Sequence, residues 1–98
     1  MNLLFSCIGK RGYIADFFRT HLSKKDRIIS TSNTKWTPGF NHCDFNYILP
    51  DIISPSYIPK IKEICQKESI DAILSFFDPD VVELAKHYDE FVDMGIKP

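Results

Sequence analysis

Four residues in two short stretches have types and spacing that could bind an anionic ligand. Gly9, Lys10 and Arg11 follow an apolar run, and an amphipathic pattern begins directly after them. A buried strand, a glycine turn and a helix N-terminus form an anion-binding arrangement in many α/β domains. Asp78 follows a second apolar run in the same manner. The predicted chemistry is recognition of a negatively charged substrate group by Lys10 and Arg11, beside the acid Asp78.

Each of these residues also has a purely structural interpretation. Gly9 could serve only the turn, the two cations could be solvated, and Asp78 could simply cap a helix. The spacing Gly9-x-x-Gly12 is not the Gly-x-Gly-x-x-Gly pattern of a dinucleotide-binding loop. It also lacks the P-loop pattern, in which four residues separate a first glycine from a Gly-Lys pair. Capping alone is the simpler interpretation of Asp78, and both interpretations of the turn stay open.

Composition and charge exclude several classes of protein. With 98 residues the chain can form one domain with a modest core, and not a two-domain enzyme. Its formal net charge of −1 provides no general attraction for nucleic acid or an anionic membrane. The sequence has no apolar run near the roughly 20 residues that span a bilayer, and its N-terminus lacks a secretory signal pattern. We therefore expect a cytoplasmic protein without nucleic-acid or membrane partners.

The sequence has three cysteines, at positions 7, 43 and 65. An odd number does not favour a disulfide framework, and the wide spacing does not favour a zinc site. Cys7 and Cys65 occupy apolar positions and are predicted to be small core residues. His42, Cys43 and Asp44 carry potential metal ligands, but neighbours in sequence rarely converge on one ion without distant partners. No metal site is predicted.

The apolar pattern predicts alternating strands and helices. Strands are predicted over 3–8, 27–32, 47–49 and 71–77, and helices begin near residues 12, 57 and 78. The run at 3–8 is continuously apolar, as in a central strand covered on both faces. Such a β-α-β succession forms right-handed, parallel crossovers. The predicted fold is therefore α/β: a Rossmann-like open, mostly parallel sheet of about four strands with helices on both faces.

Each predicted helix has one apolar face, which we expect to pack on the sheet. These faces consist of Tyr13, Ile14, Phe17, Phe18 and Leu22, then Tyr57, Ile58, Ile61, Ile64 and Cys65, and then Val81, Leu84, Ala85, Tyr88, Phe91 and Val92. The third helix is predicted to begin with a capping acid, a proline and the further acid Asp80 near the helix dipole. Gly95 is predicted to end it.

The loop at 33–46 has turn-forming residues but also two aromatic side chains, Trp36 and Phe40. They belong either to a loop packed on the domain or to a surface that another domain or a partner covers.

The topology places the ligand crevice. In open parallel sheets it lies beyond the carboxyl ends of the strands, where strand order reverses. If the first strand is central, the strands at 27–32 and 71–77 are its neighbours. The turn Gly9–Arg11 would then lie beside Phe77 and Asp78.

Five groups of short motifs, in order along nearly the whole chain, resemble those of one protein family. They are the strand and turn from Leu3 to Arg11, Pro38 with the segment Asp44 to Pro50, the helix Tyr57 to Cys65 with Ile70-Asp71 after it, Asp78-Pro79-Asp80, and Gly95-Ile96. Their succession resembles the N-terminal (pre-ATP-grasp) domain of ATP-grasp carboxylate–amine ligases, especially those similar to the carbamoyl-phosphate synthase large chain. Ser32 departs from that pattern, because family members usually have an acid there.

The resemblance implies a longer protein in which residues 1–98 precede a further strand and an ATP-grasp domain. That domain, in cis or from an adjacent gene, would use ATP and Mg²⁺ to activate a carboxylate as an acyl phosphate for an amine to attack. The implied role of residues 1–98 is accessory, without a catalytic residue, a cofactor or activity of their own. Gly9, Lys10, Arg11 and Asp78 would line the substrate side of the cleft, for a small carboxylate or amine substrate. Dimer contacts are also compatible with the resemblance.

Two other functions remain open from the residues alone. One is a free-standing Rossmann-like module that binds a nucleotide or dinucleotide. The other is a protein-interaction domain that presents Trp36 and Phe40 to a partner.

Overall fold

A four-stranded sheet forms the centre of the structure, a computed structural model that describes residues 1–97. Its strands are β1 (Asn2–Ser6), β2 (Arg27–Ser32), β3 (Phe45–Ile48) and β4 (Ala72–Ser75). They pair in the order β3-β2-β1-β4, and every pair is parallel. The predicted open, parallel α/β sheet with a central first strand is confirmed.

Helices cover both faces of the sheet. They are α1 (Gly12–Arg19), α2 (Tyr57–Lys67), α3 (Asp78–Ala85), α4 (Tyr88–Asp93) and a short 3-10 helix (Pro38–His42). One apolar cluster joins the sheet to α1 and the 3-10 helix, and another joins it to α2, α3 and α4. None of the helices in residues 1–97 combines the length and the apolar character needed to cross a membrane.

Strand β1 supplies both apolar clusters, because its side chains alternate between the faces of the sheet. Leu4 belongs to the cluster under α2, whereas Leu3 and Phe5 belong to the cluster under α1. The Phe5 ring makes edge contacts with Phe18 and Phe76 at centroid distances of 5.4 and 5.0 Å. The continuous apolar run therefore reflects burial on both sides.

The first helix differs from its prediction in which side chains it buries. Tyr13 and Phe17 were expected in the core, but they are 65% and 64% exposed. Ala15 is buried and Phe18 packs against the cluster, so a narrower face of the helix meets the sheet. Phe17 instead makes an edge contact with His21.

The third predicted helix is divided in two, which a single apolar period did not predict. Helix α3 ends at Ala85, and a tight turn follows in which the His87 N–H donates to the Leu84 carbonyl at 3.0 Å. This turn lets both Leu84 and Phe91 reach the core. Val81, Tyr88 and Val92, which were predicted to be buried as well, are about half exposed.

The chain end is where a further strand was predicted. Gly95 has φ +81° and ends α4, as predicted. Lys97 then forms a single parallel bridge with Ala72, and its carbonyl accepts from the Ile73 N–H at 2.8 Å. Pro98, where the domain was predicted to be cut, lies outside the described residues.

Glu68 joins the end of α2 to two strands. Its carboxylate accepts from Arg27 Nη1 of β2 at 2.9 Å and from the Tyr47 hydroxyl of β3. The hydrogen bond from Tyr47, with the charge of Arg27, holds the Glu68 pKa below its ordinary value of 4.5. Burial and the same hydrogen bond raise the Tyr47 pKa to about 12.

We predict that Glu68→Gln lowers the free energy of unfolding at neutral pH by about 1 kcal/mol, because it weakens both contacts. A carboxylate with a lowered pKa stabilises the fold above its ordinary pKa, and this contribution is lost as pH falls through the folded-state pKa. The difference between variant and wild type should therefore shrink in acid. Urea unfolding from about pH 7 down to about pH 3 measures it.

The matched control is Glu63→Gln, since Glu63 is exposed and lies 3.7 Å from Lys60. It should leave the pH profile unchanged. A Glu68→Gln variant that lost the same free energy at both ends of the pH range would contradict this account.

Candidate functional site

A cleft of about 710 Å³ lies at the carboxyl ends of the strands. The turns after all four strands and the first residue of α2 line it. This is the edge at which parallel α/β sheets bind ligands. Its location follows from the strand order, in which β1 lies between β2 and β4.

Three of the four predicted site residues line this cleft, namely Gly9, Lys10 and Arg11. Asp78 lies instead in a smaller adjoining depression, which shares Arg11 with the cleft. The turn after β1 is therefore beside the turn after β4, but Asp78 is not in the main cleft. Their role in binding stays a prediction.

Asp78 does not cap α3 through its side chain, so that prediction is wrong. The helix begins at Asp78 itself, and Phe77 occupies the N-cap position. The Phe77 carbonyl accepts from the N–H groups of Asp80 and Val81 at 2.9 and 3.0 Å. Asp78 therefore lies in the first turn of the helix, and it is exposed to solvent.

Close packing of the 3-10 helix explains why glycines occur at positions 9 and 12. Gly9 has φ +52°, and its carbonyl accepts from the Gly39 N–H of the 3-10 helix at 2.8 Å. A Cβ on Gly12 would lie 2.1 Å from Cδ2 of His42, so the 3-10 helix also packs closely against the start of α1. The spacing Gly9-x-x-Gly12 is explained by this contact without a bound phosphate.

A buried carboxylate is hydrogen-bonded to Tyr57, which lines the cleft. Asp80 is fully buried and accepts from the Tyr57 hydroxyl at 2.5 Å and from Ser75 Oγ at 2.6 Å. Ser6 Oγ lies 3.2 Å from the Tyr57 oxygen. Because the single Tyr57 proton points to Asp80, Ser6 is the donor in this contact. These four side chains connect β1, β4, α2 and α3.

Tyr57 and Cys7 are held in their protonated forms. Burial and the hydrogen bond to Asp80 raise the Tyr57 pKa strongly. Burial, with the charge of Asp80, raises the Cys7 pKa to about 11. At neutral pH the first group is a hydrogen-bond donor and the second is a thiol, which is a poor nucleophile.

Cys7 is not the core residue that was predicted. It is half-buried, lines the cleft and has φ +55°, which ends β1 before residue 8. Its N–H donates to Thr31 Oγ1 at 3.2 Å. Cys65, by contrast, is buried as predicted.

The sequence did not predict the buried role of Asp80 or Tyr57. Asp80 was expected only to complement a helix dipole, and Tyr57 was counted as part of an apolar face. A signal was present, since serine ends both apolar strands and Ser6 pairs with Ser75 in register. Two serines side by side at strand ends indicate a polar partner nearby.

The side chains of three neighbouring residues, His42, Cys43 and Asp44, hydrogen-bond to different parts of the protein and do not converge on one point. His42 Nδ1 donates to Asp16 at 2.8 Å, and the Cys43 thiol donates to the Gly39 carbonyl. Asp44 accepts from the Ile28 N–H at 2.7 Å. Within residues 1–97, no group of three such side chains could hold a metal ion.

The two loop aromatics differ in their surroundings. Phe40 packs against the apolar cluster under α1, as the packed-loop interpretation predicts. Trp36 is 80% exposed, with Lys35 Nζ 5.1 Å from its ring centre. Of these two loop aromatics, Trp36 is the one that could contact a partner protein.

We predict that Tyr57→Phe lowers the free energy of unfolding by about 1–3 kcal/mol, because it removes one donor from the buried Asp80. Urea denaturation at neutral pH measures the loss. Tyr88→Phe is the control, since Tyr88 is 54% exposed. Equal stability of the two variants would mean that the Asp80 contact does not stabilise the fold.

Comparison with known proteins assigns the chain to a family. No curated protein matches it. The family model for the PylC-like, N-terminal domain matches residues 3–98, which includes every strand and helix described above apart from Asn2, the first residue of β1. The chain therefore belongs to the PylC-like N-terminal domain family, a family of ATP-grasp ligase N-terminal domains.

Proposed function

We propose that this domain forms the substrate side of an ATP-grasp ligase similar to the carbamoyl-phosphate synthase large chain, and that it has no activity alone. The observation that carries the proposal is the position of two cations at the strand-end cleft. Lys10 and Arg11 line it, and within residues 1–97 neither makes an ion pair or a side-chain hydrogen bond. Cations without partners beside a cleft suit an anionic ligand group.

The described residues fit a binding role better than a catalytic one. The Cys7 thiol is protonated, and the Tyr57 hydroxyl is already bound to Asp80. Lys10 and Arg11 would hold the substrate carboxylate or orient its acyl phosphate. The ATP-grasp domain, in cis or from an adjacent gene, would supply ATP, Mg²⁺ and the reacting groups.

A free-standing nucleotide-binding module is the alternative that the fold allows. The packing of the 3-10 helix on the glycine turn argues against it, because His42 lies over Gly12. The 80% exposure of Trp36 would favour an interaction domain, and such a partner is compatible with the ligase.

The test is a kinetic assay of the complete ligase, with the coding sequence beyond Pro98 or the adjacent gene supplying the ATP-grasp domain. We expect carboxylate-dependent ATP consumption. Arg11→Ala should raise the KM for the carboxylate about tenfold or more, since a charge-assisted hydrogen bond is lost. The KM for ATP should not change, because ATP binds in the later domain.

Lys24→Ala is the control, since Lys24 is exposed and does not line the cleft. The proposal fails if no ATP-grasp domain accompanies this chain. It also fails if Arg11→Ala changes the KM for ATP rather than the KM for the carboxylate. Calorimetric titration of the chain with ATP or NAD should give no heat; binding would favour the nucleotide module.

A further inference from the structure

Most polar side chains of the cleft already have partners within the protein. Thr31 Oγ1 accepts from the Cys7 N–H at 3.2 Å. The Ser32 and Thr37 hydroxyl oxygens lie 2.7 Å apart, and Thr37 Oγ1 is also 2.7 Å from the Thr34 carbonyl oxygen. Tyr57 donates to Asp80. The Tyr57 proton is therefore not available to a ligand, and the Thr31 and Ser32 hydroxyls are already held by contacts within the protein. Within residues 1–97 no such contact holds Lys10 or Arg11.

One acid lines the cleft among the described residues, and it is also engaged. Asp51 Oδ1 accepts from Asn33 Nδ2 at 3.1 Å, and the Asp51 carbonyl accepts from the Ser54 N–H at 2.9 Å. Asp51 therefore closes the turn after β3. The described lining therefore carries two cations, Lys10 and Arg11, against one carboxylate, and a ligand with a single negative charge would balance that excess.

The remaining lining is apolar. It includes Leu49, Pro50, Ile52, Ile53, Phe77 and Pro79. Ile53 is 93% exposed and Phe77 is 50% exposed, although both lie on turns that face the cleft. Exposed apolar side chains gathered around a cavity indicate a surface that a ligand or a partner covers.

We propose that the cleft binds a carboxylate that carries an apolar chain and no second charge. This inference rests on the proposed function and names the substrate class for the same cleft. The carboxylate meets Lys10 and Arg11, and the chain lies against Ile53 and Phe77. An ammonium group on the ligand would find only Asp51, which is already hydrogen-bonded.

The test is an NMR titration of the chain with three fatty acid anions, namely butyrate, hexanoate and octanoate. Each added methylene should tighten binding by up to about fourfold, since its burial removes apolar surface from water. Hexanoate should bind more tightly than 6-aminohexanoate, which has the same chain and a second charge. Hexylamine, which has the opposite charge, should not bind.

Variants separate the two halves of the site. Lys10→Ala with Arg11→Ala should weaken all three carboxylates by about the same factor, at least tenfold. Phe77→Ser and Ile53→Ser should keep butyrate binding and flatten the dependence on chain length. Val82→Ser is the matched apolar control, since Val82 is 58% exposed and does not line the cleft.

The outcomes distinguish this inference from the proposed function. If no carboxylate binds to the chain, this inference fails, and the proposed function is still decided by the carboxylate KM of the complete ligase. If carboxylates bind through Lys10 and Arg11 with no dependence on chain length, the apolar side chains serve a protein partner and only this inference fails. If 6-aminohexanoate binds more tightly than hexanoate and Asp51→Asn removes that advantage, the ligand is zwitterionic and this inference is again overturned.

Discussion

The burial of one carboxylate determines how the cleft is built. Asp80 is fully buried in a small domain, where an isolated charge would be too costly without hydrogen-bond partners. Tyr57 comes to it from α2 and Ser75 from β4, while Ser6 of β1 approaches the Tyr57 oxygen. Since the same carboxylate belongs to the first turn of α3, four elements must meet at one point. That point adjoins the strand-end cleft, because Tyr57 also lines the cleft.

The buried polar groups beside the cleft hydrogen-bond to one another. The charges of the cleft that have no partner within residues 1–97 are those of Lys10 and Arg11. Burial, together with the nearby Asp80 carboxylate, raises the pKa of Tyr57 and of Cys7, so neither group is suited to transfer a proton or attack a substrate at neutral pH. The cations of the turn after β1 have no such constraint. A buried hydrogen-bonded cluster beside two cations without partners suits the binding and orientation of a ligand, which is the role proposed for this domain.

The sequence predicted the features that depend on local pattern, and missed those that depend on distant partners. The continuous apolar run of β1 indicated a central strand, and with β1 at the centre the parallel topology placed the cleft beside Gly9. The burial of Asp80 could not be predicted, because it requires a hydroxyl from residue 57 and a serine from a neighbouring strand. The exposure of Tyr13 and Phe17 depends on how α1 sits on the sheet, and helical period does not determine that position.

At position 32 this chain has a neutral serine in place of the acid that the resemblance leads us to expect. Where members of the family that the sequence resembles usually have an acid, a neutral hydroxyl lines the cleft, 2.7 Å from the Thr37 hydroxyl. An acid there would add a carboxylate to the cleft that already contains Lys10 and Arg11, and would compete with an anionic ligand for them. With serine, the two cations are left to the ligand. The departure of Ser32 from the family pattern therefore fits the proposed ligand, which carries a single negative charge.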